Sequence, residues 1–395
     1  MRIIIGSVIS IPPYAPGIAW DWMQYAVGFE RLGHEVYYVE EVEPRCCLDS
    51  QGSRCRYEDS ENQRLFRATM ERFGFMDRAC QIYDGGAAAF GLSIARLQDL
   101  CRGADLLLNI SGHIRTELVL GSVRRRVYMD QDPVYTQLWR TEYGKDLNFD
   151  AHDAFLTVGL NIGTAESPIP DAGVCWRHAL PPVVLDHWGA PPAPGPGRFT
   201  TVASWVGFGD LCYRGEWYRS KDEEFRRFAE LPAKVDQQFE VALRRHEPHD
   251  EGVRLLRANG WIVTESSRIT DLSGYQDYIA RSRAEIGITK NAYVKGRSGW
   301  FSDRTSHYLA TGRPALVQAT GFERSLPTGR GLLTFNSMEE AVAGVERING
   351  DYEGHCKAAR GIAEDHLDYR VVLPKLLEDC HATGGSPRST PPAAG

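Results

Sequence analysis

Basic side chains crowd one stretch of this chain. Between Lys290 and Arg304 the sequence reads KNAYVKGRSGWFSDR, so Lys290, Lys295, Arg297 and Arg304 lie on or beside a loop made of Ser298, Gly299, Trp300, Phe301, Ser302 and Asp303. A helix that begins near Asp303 leaves its first backbone N–H groups without partners, and those groups together with the helix dipole attract a diphosphate. Gly299 lets a backbone approach such a ligand closely, and the nearby cations are suited to neutralising it as it departs. Lys221 and Arg214, in YRGEWYRSKDEEF, supply a second basic pair, and Gly321 and Phe322 form a glycine turn further on. Proton transfer needs a carboxylate or an imidazole as well. Asp21 follows the first loop, His113 lies in NISGHIRTE, and Asp130 and Asp132 lie in MDQDPVYTQ, each after a strand pattern.

Several of the residues in and around these loops also have a purely structural explanation. Asp303 is a good helix cap, Trp300 and Phe301 are good core anchors, His307 fits an ordinary packed position, and Asp132 before Pro133 suits a turn. Gly17 at a helix start places Trp20 and Asp21 toward a cleft, or else caps a first turn over a buried Trp. The D-Q-D spelling at 130–132 is a common chance match to a metal motif, so no required metal is expected.

The elements that must position these residues read as alternating strands and helices, the pattern of a parallel sheet covered on both faces. Ile3 to Ile9 is a strand. IAWDWMQYAVGFERLG carries Trp22, Tyr25, Ala26, Phe29 and Leu32 at helical spacing and stops at Gly33, and HEVYYVEE resumes as strand. A polar helix is expected near Asn62 to Gln81 and another from Leu92 to Cys101. The strands ADLLLNI and VYMDQ follow, then FDAHDAFLTVG and VCWRHAL, with Arg124 to Arg126 as a solvated strand entry. DHWGAPPAPGPGRF admits neither helix nor strand. After it FTTVASWV, WIVTES, AEIGIT and RPALVQ read as strands, and RSKDEEFRRFAEL, YQDYIARSR, RTSHYLATG, MEEAVAGVERI and HCKAARGIAEDHL as helices.

The expected fold is therefore α/β, with two doubly wound Rossmann-like domains facing a central cleft. The first domain spans 1–185, a Pro/Gly-rich linker 186–198, the second domain 199–365, a C-terminal helix that packs back on the first domain 366–381, and a disordered tail 382–395.

Composition narrows the function classes. With 395 residues, 43% hydrophobic and 25% charged, the chain is an ordinary globular protein without an apolar run long enough to span a bilayer. The opening MRIIIGSVIS reads as a first strand, which points to a cytoplasmic protein. Nine cysteines without C-x-x-C spacing suggest neither a zinc knuckle nor a disulfide framework. A formal charge of -7 argues against a nucleic-acid partner.

The segment from Lys290 to Val345 resembles the donor-binding region of B-fold (GT-B) nucleotide-sugar-dependent glycosyltransferases of group 1. In those proteins a glycine loop enters a helix that ends in A-x-G-x-P. Here the pieces are Ser298 to Asp303, Ala310-Thr311-Gly312-Arg313-Pro314, the turn Thr320-Gly321-Phe322, and GLLTFNSMEEAV. The resemblance implies a bacterial, metal-independent hexosyltransferase without a cofactor, acting on a UDP-, TDP- or GDP-linked sugar. Its donor site would include Arg214, Lys221, Lys290, Arg297, Ser298, Gly299, Trp300, Phe301, Ser302, Asp303, Arg304, Gly321 and Phe322. Catalytic candidates in the acceptor half are Asp132, His113 and Asp21. The family's E-x7-E glutamates correspond to Gly299 and His307, which leaves retention or inversion open. Acceptors vary across the family, so a small molecule of secondary metabolism, a glycan and a lipid-linked acceptor all stay open, as does a homodimer.

Three other readings compete. A nucleotide-sugar 2-epimerase uses the same scaffold but needs acid/base groups from both domains and no acceptor pocket. An NAD-linked enzyme is disfavoured because the first turn, GSVISIPPYAPG, lacks G-x-G-x-x-G. A non-catalytic two-lobed binding protein would be exported.

Overall fold

A computed structural model describes residues 1–189, 197–244, 251–265 and 269–381. Most of the Pro/Gly-rich linker and all of the tail 382–395 lie outside the described residues.

The first sheet contains β1 (Arg2–Gly6), β2 (Glu35–Val42), β3 (Ala79–Tyr83), β4 (Ala88–Gly91), β5 (Leu106–Ile110), β6 (Arg126–Asp130), β7 (Ala154–Thr157) and β8 (Trp176–His178). It has eight strands in the order β4-β3-β2-β1-β5-β6-β7-β8, parallel except where β4 turns back on β3. Runs such as LLLNI are buried along their whole length, as strands covered by helices on both faces must be. The second half contains β9 (Phe199–Ser204), a hairpin of β10 (Leu211–Tyr213) and β11 (Glu216–Tyr218), then β12 (Phe239–Arg244), β13 (Ile262–Glu265), β14 (Ala284–Gly287), β15 (Ala315–Gln318) and β16 (Leu332–Phe335). Its six-stranded parallel sheet runs β13-β12-β9-β14-β15-β16. Each sheet reverses its strand order once, at β1/β5 and at β9/β14. Loops leave such a switch point in opposite directions and open a crevice between them.

Several elements depart from the sequence reading. The helix expected to reach Gln81 ends at Phe73, because Gly74 takes a left-handed conformation (φ 72°) and Phe75 N–H closes back on the Met70 carbonyl at 2.8 Å. Residues 79–83 are instead strand β3. FTTVASWV leaves the sheet at Ser204, and the β10–β11 hairpin and β12 were not foreseen.

The halves share a core. The helix Pro16–Arg31 packs against the helix Tyr369–His381, with Gly28 so close to Leu373 that a Cβ would sit 2.5 Å from its Cδ1. The chain passes from the first half to the second after Trp188 and returns before Tyr369, and the two passages are bonded side by side. Val183 N–H donates to the Leu367 carbonyl at 2.7 Å and Tyr369 N–H to the Val183 carbonyl at 3.0 Å. Trp20, expected to face an acceptor, is only 1% exposed and belongs to this shared core. Its indole donates to the Leu272 carbonyl at 2.9 Å and packs on Trp188, whose ring stacks on His307 at 4.2 Å.

Two glycines expected at a ligand serve the junction of the halves instead. Gly299 (φ 73°) pairs with the first half, accepting from Leu160 N–H at 3.4 Å while Ser298 accepts from Asn161 N–H at 3.0 Å. A Cβ on Gly299 would lie 2.7 Å from the Asn161 nitrogen and 2.9 Å from that of Leu160. Gly321 (φ 103°) sits against the Asn161 side chain in the same way. Gly299→Ala should therefore lose about 1–3 kcal/mol, read as a fall in melting temperature. Gly52→Ala, also left-handed (φ 80°) but with no atom within 4 Å of its added carbon, isolates the backbone penalty alone. Equal losses in the two variants would show that the junction is not closely packed at Gly299.

Candidate functional site

The two switch points open toward each other. Ser204 ends β9, Lys290 follows β14, and the helix Asp303–Ala310 starts between them. Together with Gly17 of the first half, these residues bound a cavity of about 250 Å³. A second chamber of about 590 Å³ shares Lys221, Lys290, Tyr293, Trp300 and Asp303 with it and reaches Asp21 and Asp132 of the first half.

Lys221 opens the helix Lys221–Arg227 and points into this enclosed space. Burial drives its ammonium well below the usual lysine range, and the charges of Arg304 and Lys290 push the same way. A site that discourages its own cations in this manner gains from an incoming anion. Arg304 is fixed in the cavity wall, with Nε 2.7 Å from Glu285 and Nη1 2.8 Å from the Val202 carbonyl, so its charge is already compensated. Lys290 donates to Asp132 at 2.9 Å and to the Tyr293 hydroxyl at 2.7 Å, while Tyr293 donates to the same Asp132 oxygen at 2.8 Å. The rings of Phe208, Tyr293 and Tyr135 surround that ammonium at 4.3, 4.7 and 5.2 Å. Lys290 and Asp132 thus join the halves across the cleft.

Asp303 is the first residue of its helix rather than its cap. Ser302 holds the cap position without a side-chain cap bond, and its hydroxyl donates to Asp303 at 3.3 Å. Burial raises the Asp303 carboxyl, against the pull of Arg304. Asp21 differs from the other carboxylates of the cleft. It is 4% exposed, it lines the larger chamber, and among the described residues no donor lies within hydrogen-bond distance of its carboxylate. Burial first, and the charge of Asp303 second, hold it well above the usual carboxylate range.

Other expected site residues lie elsewhere. His113, on the loop after β5, lines neither cavity, and loss of water around its imidazole, against the charge of Asp132, lowers it to about 4. Arg214 is exposed at the tip of the β10–β11 hairpin, stacked on Tyr213 at 5.0 Å. Arg297 points outward to Glu166 at 3.2 Å, and Lys295 to Glu216 at 2.7 Å. Ser298 is buried and shapes its own loop by donating to the Tyr293 carbonyl and accepting from Trp300 N–H. Trp300 and Phe301 do line the larger chamber, whereas Phe322 is core, packed edge-on against Phe301 at 5.2 Å. Asp130 is spent on loop structure, accepting from Asp132 N–H, Thr136, Gln137 and Thr157.

Sequence reasoning missed Trp22, Trp205, Phe208 and Tyr293 on the chamber walls. It also missed Glu40, which is fully buried and accepts from Ile9 N–H and Ser10 N–H, both at 2.9 Å, and from Gln81 at 3.0 Å. These bonds pin the first loop beside the cleft, and burial pushes the Glu40 carboxyl up to about 7. Glu40 directly after the apolar run VYYV of a strand was the available signal. Among the described residues no group of three or more His, Cys, Asp or Glu is placed to hold a metal ion, and no helix is long and apolar enough to cross a membrane.

Because the Asp21 carboxyl titrates higher in the folded chain than unfolded, its contribution to stability is complete below the ordinary aspartate range and is lost as pH rises through the folded value. Asp21→Asn should accordingly gain in melting temperature over the parent chain as pH is raised from about 4 to 8. A constant difference across that range would mean that Asp21 has a partner.

Neither a protein-family model nor a curated protein sequence matches the chain. Solved structures do match along nearly its whole length. An alpha-glucosyltransferase in complex with UDP and a 13-mer DNA containing a HMU base has a TM-score of 0.58 at 12% identity, covering 97% of this chain and 100% of that one. Anabaena HepE in complex with UDP and glucose has a TM-score of 0.55 at 11% identity, covering 96% and 98%. A glycosyltransferase from Rickettsia africae has a TM-score of 0.52 at 10% identity, covering 96% and 97%. The likeness is one of fold, the two-domain GT-B architecture.

Proposed function

Since the chain has the GT-B fold, we propose that it is a glycosyltransferase that moves a sugar from a nucleoside diphosphate to a small-molecule or glycan acceptor. The observation that carries this reading is the meeting, in one cleft, of Lys221 and the start of the helix Asp303–Ala310 on one side with the unpartnered carboxylate of Asp21 on the other. The smaller cavity receives the donor. Lys221 and the helix N-terminus attract its diphosphate, with Lys290 beside them. The acceptor hydroxyl gives its proton to the Asp21 carboxylate while its oxygen bonds to the anomeric carbon. The bond from that carbon to the donor phosphate breaks, and the electron pair leaves with the nucleoside diphosphate, whose charge Lys221 takes up.

Asp21 supplants His113 and Asp132 as the base in this reading, because His113 lines neither cavity and Asp132 is held by Lys290 and Tyr293. A uracil nucleotide is the first donor to test, as HepE and the alpha-glucosyltransferase both hold UDP. In this reading Lys221 and the helix N-terminus do the work that a divalent metal does elsewhere, so transfer is metal-independent. A cytoplasmic, natural-product setting goes with this reading. Carboxylates from both halves also suit the epimerase alternative, but the large chamber beside them favours a second substrate. Epimerised donor formed without an acceptor would decide for the epimerase.

UDP should raise the melting temperature more than TDP or GDP, in EDTA as in its absence, and Lys221→Met should remove most of that rise. A rise of equal size in Lys221→Met would place the diphosphate elsewhere. The pH profile tests the base. Asp303 raises the Asp21 carboxyl by its charge, so Asp303→Asn should move the acid limb of kcat/KM to lower pH. An unmoved limb would exclude Asp21 as the base.

A further inference from the structure

The cleft holds two lysines in different circumstances. Lys221 and Lys290 each line both the smaller cavity and the larger chamber. Lys290 is met there by an anion from the other half of the molecule. Its ammonium donates to Asp132 Oδ1 at 2.9 Å and to the Tyr293 hydroxyl at 2.7 Å, and that hydroxyl donates to the same carboxylate oxygen at 2.8 Å. The three polar atoms close a triangle. Around it stand the rings of Phe208, Tyr293 and Tyr135, which displace water from the ammonium and leave it dependent on the anion it is given.

The pair faces the cleft and not the core. The Lys290 side chain is 14% exposed and that of Asp132 29%, and an ion pair so placed contributes little to folding. Nor do the halves depend on it alone. Asn161 N–H donates to the Ser298 carbonyl at 3.0 Å, the Ser167 hydroxyl to the Gly296 carbonyl at 2.7 Å, and Phe208 packs on Trp139 at 4.8 Å, each across the same junction. The bond between Lys290 and Asp132 is therefore able to break while the cleft keeps its shape.

We infer that Asp132 occupies Lys290 in place of the donor's diphosphate, and that an incoming diphosphate takes the ammonium from it. This rests on the donor assignment proposed above and adds a positioning role for a residue of the opposite half. A diphosphate brings more than one negative charge and several acceptor oxygens to two neighbouring lysines, whereas Asp132 brings a single charge to one. The carboxylate has its own advantage, since it is tethered beside Lys290 and never diffuses away. Its backbone is pinned there, with Asp132 N–H donating to Asp130 Oδ1 at 2.9 Å. After the exchange Tyr293 still donates to Asp132, so the released group keeps a bond on the chamber wall.

The test uses the full chain and reads UDP binding by isothermal titration calorimetry. A tethered anion that holds Lys290 in about nine molecules of ten weakens a competing ligand about tenfold. Asp132→Asn, close in size and uncharged, should therefore bind UDP about tenfold more tightly than the parent chain, and Asp132→Ser should do the same. Loss of a merely structural contact would weaken binding or leave it alone. Uridine, which has no phosphate, should bind the parent and both variants within about twofold. In a Lys290→Met background the gain from Asp132→Asn should fall below about threefold, because the contested ammonium is gone. UDP binding in both Asp132 variants no tighter than in the parent overturns the inference. So does an equal gain for uridine, or a gain undiminished in Lys290→Met, which would mark plain charge repulsion. Those results leave the donor assignment standing where Lys221→Met still abolishes UDP binding. UDP bound by neither the parent nor the Asp132 variants overturns both.

Discussion

A buried carboxylate with no donor to bind it raises the free energy of the fold that contains it, and Asp21, on the wall of the larger chamber, is such a group. The cleft is arranged around that constraint. Asp21 sits within the helix Pro16–Arg31, and this helix is held on every side. Leu373 and Tyr369 press on Gly28, Trp20 bonds Leu272 of the second half, Trp22 bonds the Val8 carbonyl, and Gln24 accepts from Val184 N–H. These contacts fix the turn of the helix and so hold the carboxylate toward the chamber. A side chain that packing forces into an unfavourable place is available to a substrate in a way that a satisfied one is not.

The contrast with the other buried carboxylates makes the point. Glu40 and Asp130 are equally hidden, yet each is surrounded by donors and each organises the loop that follows a strand. Glu40 binds the backbone at Ile9 and Ser10 and so fixes the approach to Tyr14 and Gly17 on the cavity wall. Asp130 accepts from the backbone of Asp132 and from Thr136 and Gln137, and so presents Asp132 to Lys290. Networks with every lone pair in use make rigid walls. One carboxylate without such a network is then confined in a place shaped by the others.

The layout of this protein was legible in its sequence because it rests on local patterns. Alternating β-branched runs and helical periodicities led to two parallel sheets, and the entry of the helix at Asp303 was read from a loop, a glycine and a following A-x-G-x-P. What could not be read depends on contacts between residues far apart in the chain. Gly299 looked like a place for a ligand, and its missing Cβ instead makes room for Leu160 and Asn161. Lys295 and Arg297 are basic and close in sequence to Lys290, but a short helix turns them outward to Glu216 and Glu166. Trp20 and Asp21 are neighbours, so one faces the shared core and the other the chamber, and only the packing of the second half on the first determines which. The hairpin after β9 escaped notice because its short strands follow neither periodicity for long enough.

Two lengths of backbone join the halves, and they are bonded to each other at Val183 and at Leu367 to Tyr369. The halves are thus fastened at this bridge and again at Gly159 with Trp300 and at Asp132 with Lys290, so a substrate in the cleft meets two walls whose spacing is already fixed. Asp21 stands on one of these walls and Asp303 on the other.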